Sequence, residues 1–236
     1  MPRALVIKHH AEDNPGLVGE ALIQRGYVLT VALLDATSAT PRLDGHDVLV
    51  ILGSTHAVYD REVEAAWFGR ELGVIGDADR RGVPILGICF GAQALCQYAG
   101  GSVRRGTHPE IGWYRVDATE DSPIEPGPWF EYHFDECSLP SSAHVWARNE
   151  QCVQAFAVGR HLGVQFHPEL DAAQLRDWFS VGADDARSLG LNPEALIAQT
   201  VHEEPAARER AARLVNAFLA HASDFESRRT GVGDAQ

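Results

Sequence analysis

The sequence is nearly devoid of lysine: Lys8 is the only one in 236 residues, and Met1 is the only methionine. Basic residues number 20 against 33 acidic ones, a formal net charge of −13. A surface with that balance repels phosphate backbones, so nucleic acid is not an expected partner. With Lys8 as the sole lysine, no G-x-x-x-x-G-K-[ST] phosphate loop can be assembled. Long apolar runs are also missing. The first, Ala4–His9, is too short for a signal peptide, and no stretch of 18 apolar residues occurs. A membrane span or export is not expected. Only four cysteines occur, Cys89, Cys96, Cys137 and Cys152, with no C-x-x-C pair and no zinc-finger spacing. That argues against a disulfide framework and a structural metal, and points to a reduced, cytoplasmic setting. Hydrophobic residues at 45% and charged residues at 22% are globular values and exclude a wholly disordered chain.

What is present has the texture of an α/β protein. The apolar, largely β-branched runs Ala4–His9, Tyr27–Leu34, Asp47–Gly53 and Pro84–Cys89 read as strands covered on both faces. Between them, Gly16–Arg25 and Glu62–Arg81 carry helical spacing and are each followed by glycine, as crossover helices are. After Gly101 come prolines, aromatics and alternating runs such as Trp113–Val116 and His144–Arg148, read as short antiparallel strands and loops. Cys152–Val158 and His161–Phe166 flank Gly159-Arg160 and predict a tight hairpin. Helices are expected at Ala172–Phe179, and at Pro193–Thr200 and Pro205–Ala222, each of the last two opened by proline. The predicted architecture is a flavodoxin-like, doubly wound, mostly parallel sheet with helices on both faces. Residues 1–182 form the main domain, 183–225 a C-terminal helical extension and 226–236 a disordered tail.

Two local patterns carry chemistry. Gly87-Ile-Cys89-Phe-Gly91 lies where a predicted strand meets the helical run Gly91–Ala99. This is the thiol analogue of a nucleophile elbow, in which flanking glycines permit a sharp turn and the helix N-terminus favours thiolate. A buried cysteine in a βα turn is the competing reading. Downstream, Gly163-Val-Gln-Phe-His167-Pro-Glu169 closes another predicted strand. In extended backbone, the i, i+2 spacing puts His167 and Glu169 on one face, and Pro168 holds the histidine extended. The pair has the Cys-His-acid logic of acyl transfer; the alternative is an exposed turn.

Together the elbow Gly87-Ile-Cys89-Phe-Gly91-Ala-Gln93 and the strand end Gly163–Glu169 resemble the class I, triad-type glutamine amidotransferases. Val58-Tyr59-Asp60, Tyr132-His133 and Leu139-Pro140 make the chain most similar to stand-alone relatives of the GMP synthase amidotransferase domain. The resemblance implies Cys89 as nucleophile, His167 as base and then acid, and Glu169 as its orienter. It implies an oxyanion hole of backbone N–H groups from Phe90 and the Gly53-Ser54 loop, with Gln93 and His133 at the substrate. It implies no cofactor and no metal, glutamine or a γ-glutamyl small molecule as substrate, and ammonia delivered to a partner synthetase. A stand-alone γ-glutamyl peptide or amide hydrolase and a non-catalytic binding or regulatory protein are the alternatives.

Two departures from the family pattern stand out. Gly53-Ser54-Thr55 replaces Gly-Gly-Pro, and a serine at positive φ would be strained. His133-Phe134-Asp135 replaces His-Gly-Asp, which puts a bulky ring at the pocket. Elsewhere, His9-His10 reads as a solvated turn at a strand end, Asp44, Asp47 and Asp60 as loop acids, and Cys96 as a core residue.

Overall fold

The computed structural model describes residues 1–231. Nine strands form one sheet in the order β2-β1-β3-β4-β9-β8-β7-β5-β6. Its parallel half comprises β1 (Arg3–Lys8), β2 (Val28–Leu33), β3 (Val48–Ile51), β4 (Ile85–Ile88) and β9 (His161–Val164). These pair in parallel register, for example Val6↔Val31, Val6↔Val50, Val50↔Leu86 and Gly87↔Gly163. Successive side chains on a strand face opposite ways, so each strand feeds two cores. Val6, Val50 and Ile88 join one layer with α1 (Gly16–Gln24). Ile7, Ile51 and Ile85 join the other with α3 (Gly69–Arg81) and α4 (Phe90–Tyr98). This is the expected doubly wound arrangement. Among the described residues, no helix is long and apolar enough to cross a membrane.

The antiparallel half holds β5 (Ser102–Ala118), β6 (Gly127–Ser138), β7 (His144–Arg148) and β8 (Val153–Val158). The β8–β9 hairpin turns at Gly159-Arg160 as expected, with Val158 opposite His161. β5 and β6 are far longer than the short strands the sequence suggested. A register shift between Arg105 and Glu110 interrupts the alternation that would have marked β5.

The segment predicted as one helix over 62–81 is built of α2 (Arg61–Val63), a π turn (Glu64–Phe68) and α3. After β9 come α5 (Ala172–Val181), capped by the Asp171 carboxylate on the Gln174 N–H, and the short α6 (Asp184–Ser188). The helices expected at Pro193–Thr200 and Pro205–Ala222 are one, α7 (Pro193–Gly231), with Pro205 inside it. Proline removes one helical hydrogen bond. Here the carbonyl left without its donor belongs to Val201, which is half exposed, so water can serve it. Leu214, Val215 and Phe218 of α7 enter the main core, so the extension covers the sheet. Its helix continues past Glu226, where a disordered tail was expected, because Glu226 is held by Arg160 and Arg229. Residues 232–236 lie outside the described residues.

Candidate active site

Cys89 follows β4 directly and caps α4, with φ 51° and ψ −106°. It is the only non-glycine residue with positive φ among the described residues. Holding it there costs about 1–3 kcal/mol, a strain that surrounding packing has to sustain. The glycines on either side explain how. A Cβ on Gly87 would lie 2.5 Å from the Gly91 carbonyl oxygen, and one on Gly91 would lie 2.3 Å from that of Ile51. Neither position admits a side chain, so strand, turn and helix close up under the thiol.

His167 sits just beyond β9, its backbone N–H donating to the Phe130 carbonyl. Its Nδ1–H donates to Glu169 Oε1 at 2.8 Å, both side chains being buried. Nε2 is buried and meets only the Cys89 thiol, with no other hydrogen-bond partner among the described residues, so it is free for the chemistry. Burial disfavours charge on this ring, but Glu169 and the Cys89 sulfur outweigh it, and the pKa lies well above the usual histidine value. The edge of Trp178 meets the ring at 5.1 Å. Cys89 Sγ contacts the Tyr132 carbonyl at 3.8 Å.

Above this pair opens a cavity of about 410 Å³ that includes Cys89, His167, Glu169, Gly53 and Ser54 in its lining. Gly53 brings backbone against the reacting groups: its Cβ would stand 3.0 Å from His167 Cε1 and 3.6 Å from Cys89 Cβ. Ser54 and Thr55 do not have positive φ, so the strain anticipated from losing Gly-Gly-Pro is absent. Phe90 offers an N–H from the first turn of α4, where helical acceptors are lacking. A thiol, an imidazole–carboxylate pair and the backbone of Gly53 and Ser54 therefore share one cavity. That arrangement is competent for acyl transfer.

Gln93 lines the cavity, buried, with its Nε2 donating to Gln165 Oε1 at 3.2 Å. His133 also lines it, but both ring nitrogens are engaged, Nδ1 with the Asp135 carbonyl and Nε2 with Glu110. No ring nitrogen is left to bond a substrate. Burial opposes charge on His133, yet hydrogen bonds to Glu110 and Glu131 raise its pKa to about 10. Burial pushes the Glu131 carboxyl up to about 7. Phe134 lies at the wall under the Arg105 guanidinium, 4.9 Å from its ring centre. Glu110, His133 and Cys152 place donor atoms within 4.8 Å of one another. However, Glu110 already accepts from Asn149, Gln154 and His133, so protein N–H groups fill the place of a cation.

Sequence reasoning missed several lining residues, among them Asp13, Arg105, Trp178 and Asp185. They come from the loop before α1 and from β5, α5 and α6, far apart in the chain, and no local motif marks them. It also misread His9, which is buried rather than solvated: Nδ1 lies 2.8 Å from the Gly53 carbonyl oxygen and Nε2 3.0 Å from Glu71 Oε2. The carboxylate waiting on α3, 62 residues away, gave no local sign. Cys96 is fully buried, as expected.

Residues 16–177 match the family model of class-I glutamine amidotransferases. GMP synthase of Rhizobium rhizogenes is 35% identical over 101 residues, 38% of this chain and 19% of that protein. The Brucella melitensis enzyme is 32% identical over 156 residues, 61% of this chain and 29% of that protein. The chain thus spans less than a third of the length of these curated relatives. Among solved structures, a glutamine amidotransferase of Thermotoga maritima superposes with a TM-score of 0.81 at 25% identity, covering 92% of this chain and 98% of that one. A glutamine amidotransferase of Methylobacillus flagellatus shares the fold with a TM-score of 0.80 at 22% identity, covering 93% of this chain and 94% of that one. By its fold, its elbow and the family match, the chain belongs to the class-I glutamine amidotransferases.

Proposed function

We propose that this protein hydrolyses the side-chain amide of glutamine, or of a γ-glutamyl compound, through a Cys89-His167-Glu169 triad. The Cys89 sulfur, its proton already passed to His167 Nε2, attacks the amide carbon. The oxygen becomes an oxyanion facing the N–H groups of Ser54 and Phe90, with Gly53 supplying the close-packed backbone. One such donor contributes about 3 kcal/mol of transition-state stabilisation. His167 then gives the proton to the leaving nitrogen, the C–N bond breaks, and a γ-glutamyl thioester remains. Water attacks that thioester, His167 takes a proton from it, and glutamate leaves as the thiol is restored. Glu169 holds the Nδ1–H so that Nε2 faces the thiol throughout. No cofactor or metal enters any step.

The observation that carries the reading is Cys89 at positive φ beside a buried imidazole whose Nε2 is free. Gln93 is the residue proposed to meet the substrate's amino-acid end, and His133 acts through its charge and shape. Residues 1–182 form the catalytic unit and 183–225 its helical cover, in a cytoplasmic protein. The relatives' printed name, glutamine-hydrolysing GMP synthase, supports ammonia supply to a synthetase partner.

The second reading, hydrolysis of larger γ-glutamyl amides or peptides without a partner, is favoured by the cavity, whose volume of about 410 Å³ is in the range that holds drug-sized ligands. Steady-state turnover of glutamine and of a panel of γ-glutamyl amides separates the two. Slow turnover of glutamine alone, accelerated by a synthetase, supports ammonia supply. Fast turnover of a γ-glutamyl peptide without partner supports the second reading. No turnover on any of them, with Cys89 unreactive to an electrophilic glutamine analogue, refutes both.

A further inference from the structure

His9 and Glu71 lie outside the triad, yet both side chains are fully buried next to it. Their hydrogen bonds fix the protonation state of the ring. The Gly53 carbonyl can only accept, so His9 Nδ1 must carry a proton. A carboxylate can likewise only accept, so Nε2 must carry one as well. His9 is then an imidazolium paired with Glu71, and its pKa is raised accordingly: burial works against the charge and Glu71 outweighs it. The ring is clamped by a stack on Trp67 at 4.8 Å and an edge contact with Phe90 at 5.0 Å. Trp67 comes from the π turn that leads into α3, and Glu71 from the first turn of α3 itself.

What the imidazolium holds is one end of a peptide unit. No cis peptide occurs among the described residues, so the 53–54 bond is trans and its C=O and N–H point in opposite directions. With the Gly53 carbonyl anchored on His9, the Ser54 N–H is turned the other way. Gly53 itself is packed against His167 and Cys89, and Ser54 lines the cavity. A loop peptide with glycine on one side flips easily unless something fixes it. From this geometry we infer that the His9–Glu71 pair is a positioning device that holds the 53–54 peptide with its N–H turned to the oxyanion and, by its charge, polarises that N–H.

The inference rests on the proposed hydrolysis, and its test separates the two. His9→Leu removes the anchor; His9→Asn keeps a side-chain N–H near the Nδ1 position but drops the link to Glu71. His9→Leu is expected to lower kcat on the best γ-glutamyl substrate about 100-fold, the effect of removing one oxyanion donor, with little change in KM. His9→Asn should recover at least tenfold of that loss. Alkylation of Cys89 by iodoacetamide, which builds no oxyanion, should change less than threefold in either variant. Equal losses in both variants, or a matching loss of alkylation rate, would mean a general packing role and overturn the inference. If the wild-type protein turns over no substrate, the amide nitrogen resonance of Ser54 decides instead. A large shift in His9→Leu that His9→Asn reverses supports the positioning role; an unmoved resonance refutes it.

Discussion

The end of β9 and the middle of β6 each present a buried imidazole bound to a glutamate, and the difference between them defines the site. At the end of β9, His167 gives one nitrogen to Glu169 and leaves Nε2 free beside the thiol. On β6, His133 gives one nitrogen to a backbone carbonyl and the other to Glu110. Both hold their protons more tightly than a free histidine does. Charge alone therefore does not separate the two rings; in the proposed reaction the uncommitted nitrogen beside the thiol is what makes His167 the general base. The parallel strand ends supply the groups proposed to react, and the antiparallel strands supply a fixed, charged wall.

The comparison breaks most completely at the nucleophile. Cys89→Ala should leave the fold intact and lower turnover by at least about 10⁴-fold, since no other described thiol lies beside a free imidazole nitrogen. Labelling by an electrophilic glutamine analogue, read by peptide mass spectrometry, should be confined to Cys89. Labelling at Cys96, Cys137 or Cys152 would overturn the elbow assignment.

The next effect sharpens the division of labour inside the pair. His167→Ala should cost about 10³–10⁴-fold in kcat and Glu169→Gln about tenfold to a hundredfold less than that, because the imidazole moves the proton and the carboxylate orients it. In the double variant the losses should not multiply. Additive losses in kcat would show that the two residues do not act as one unit.

The placement of these residues was legible because it is written in short motifs. Elbow glycines, a strand end and the i, i+2 spacing of His167 and Glu169 depend on a few neighbours in sequence, and so do the four parallel strands with their continuous apolar runs. Legibility fell where partners are distant. His9 looked like a solvated turn because Glu71 and Gly53 are 62 and 44 residues away. Strands β5 and β6 were underestimated because a register shift near Arg105 breaks the alternation, and α7 was split at Pro205 because the packing that carries the helix through lies on the sheet and on α1. Residues of the cavity wall such as Arg105 and Asp185 share no motif at all.

The smallest expected effect concerns the wall and its dependence on pH. His133 has a pKa of about 10 in the folded chain against 6.5 when exposed, so its pairing stabilises the fold fully below pH 6.5 and less as pH rises towards 10. Glu131 has a raised value of about 7 against 4.5, so the folded state also binds its proton more tightly, and stability falls as pH rises through that range. Both groups act in the same direction, and His9 and His167, also raised, add to it. The urea midpoint of the wild-type protein should therefore decline between pH 6.5 and 10. Replacing His133 with glutamine should lower the midpoint at pH 6.5 and make the decline shallower, while the pH profile of kcat below about pH 8 keeps its shape, because His133 donates no proton in the reaction. A kcat profile that lost a limb in this variant would make His133 a second proton carrier and erase the distinction between the two imidazoles.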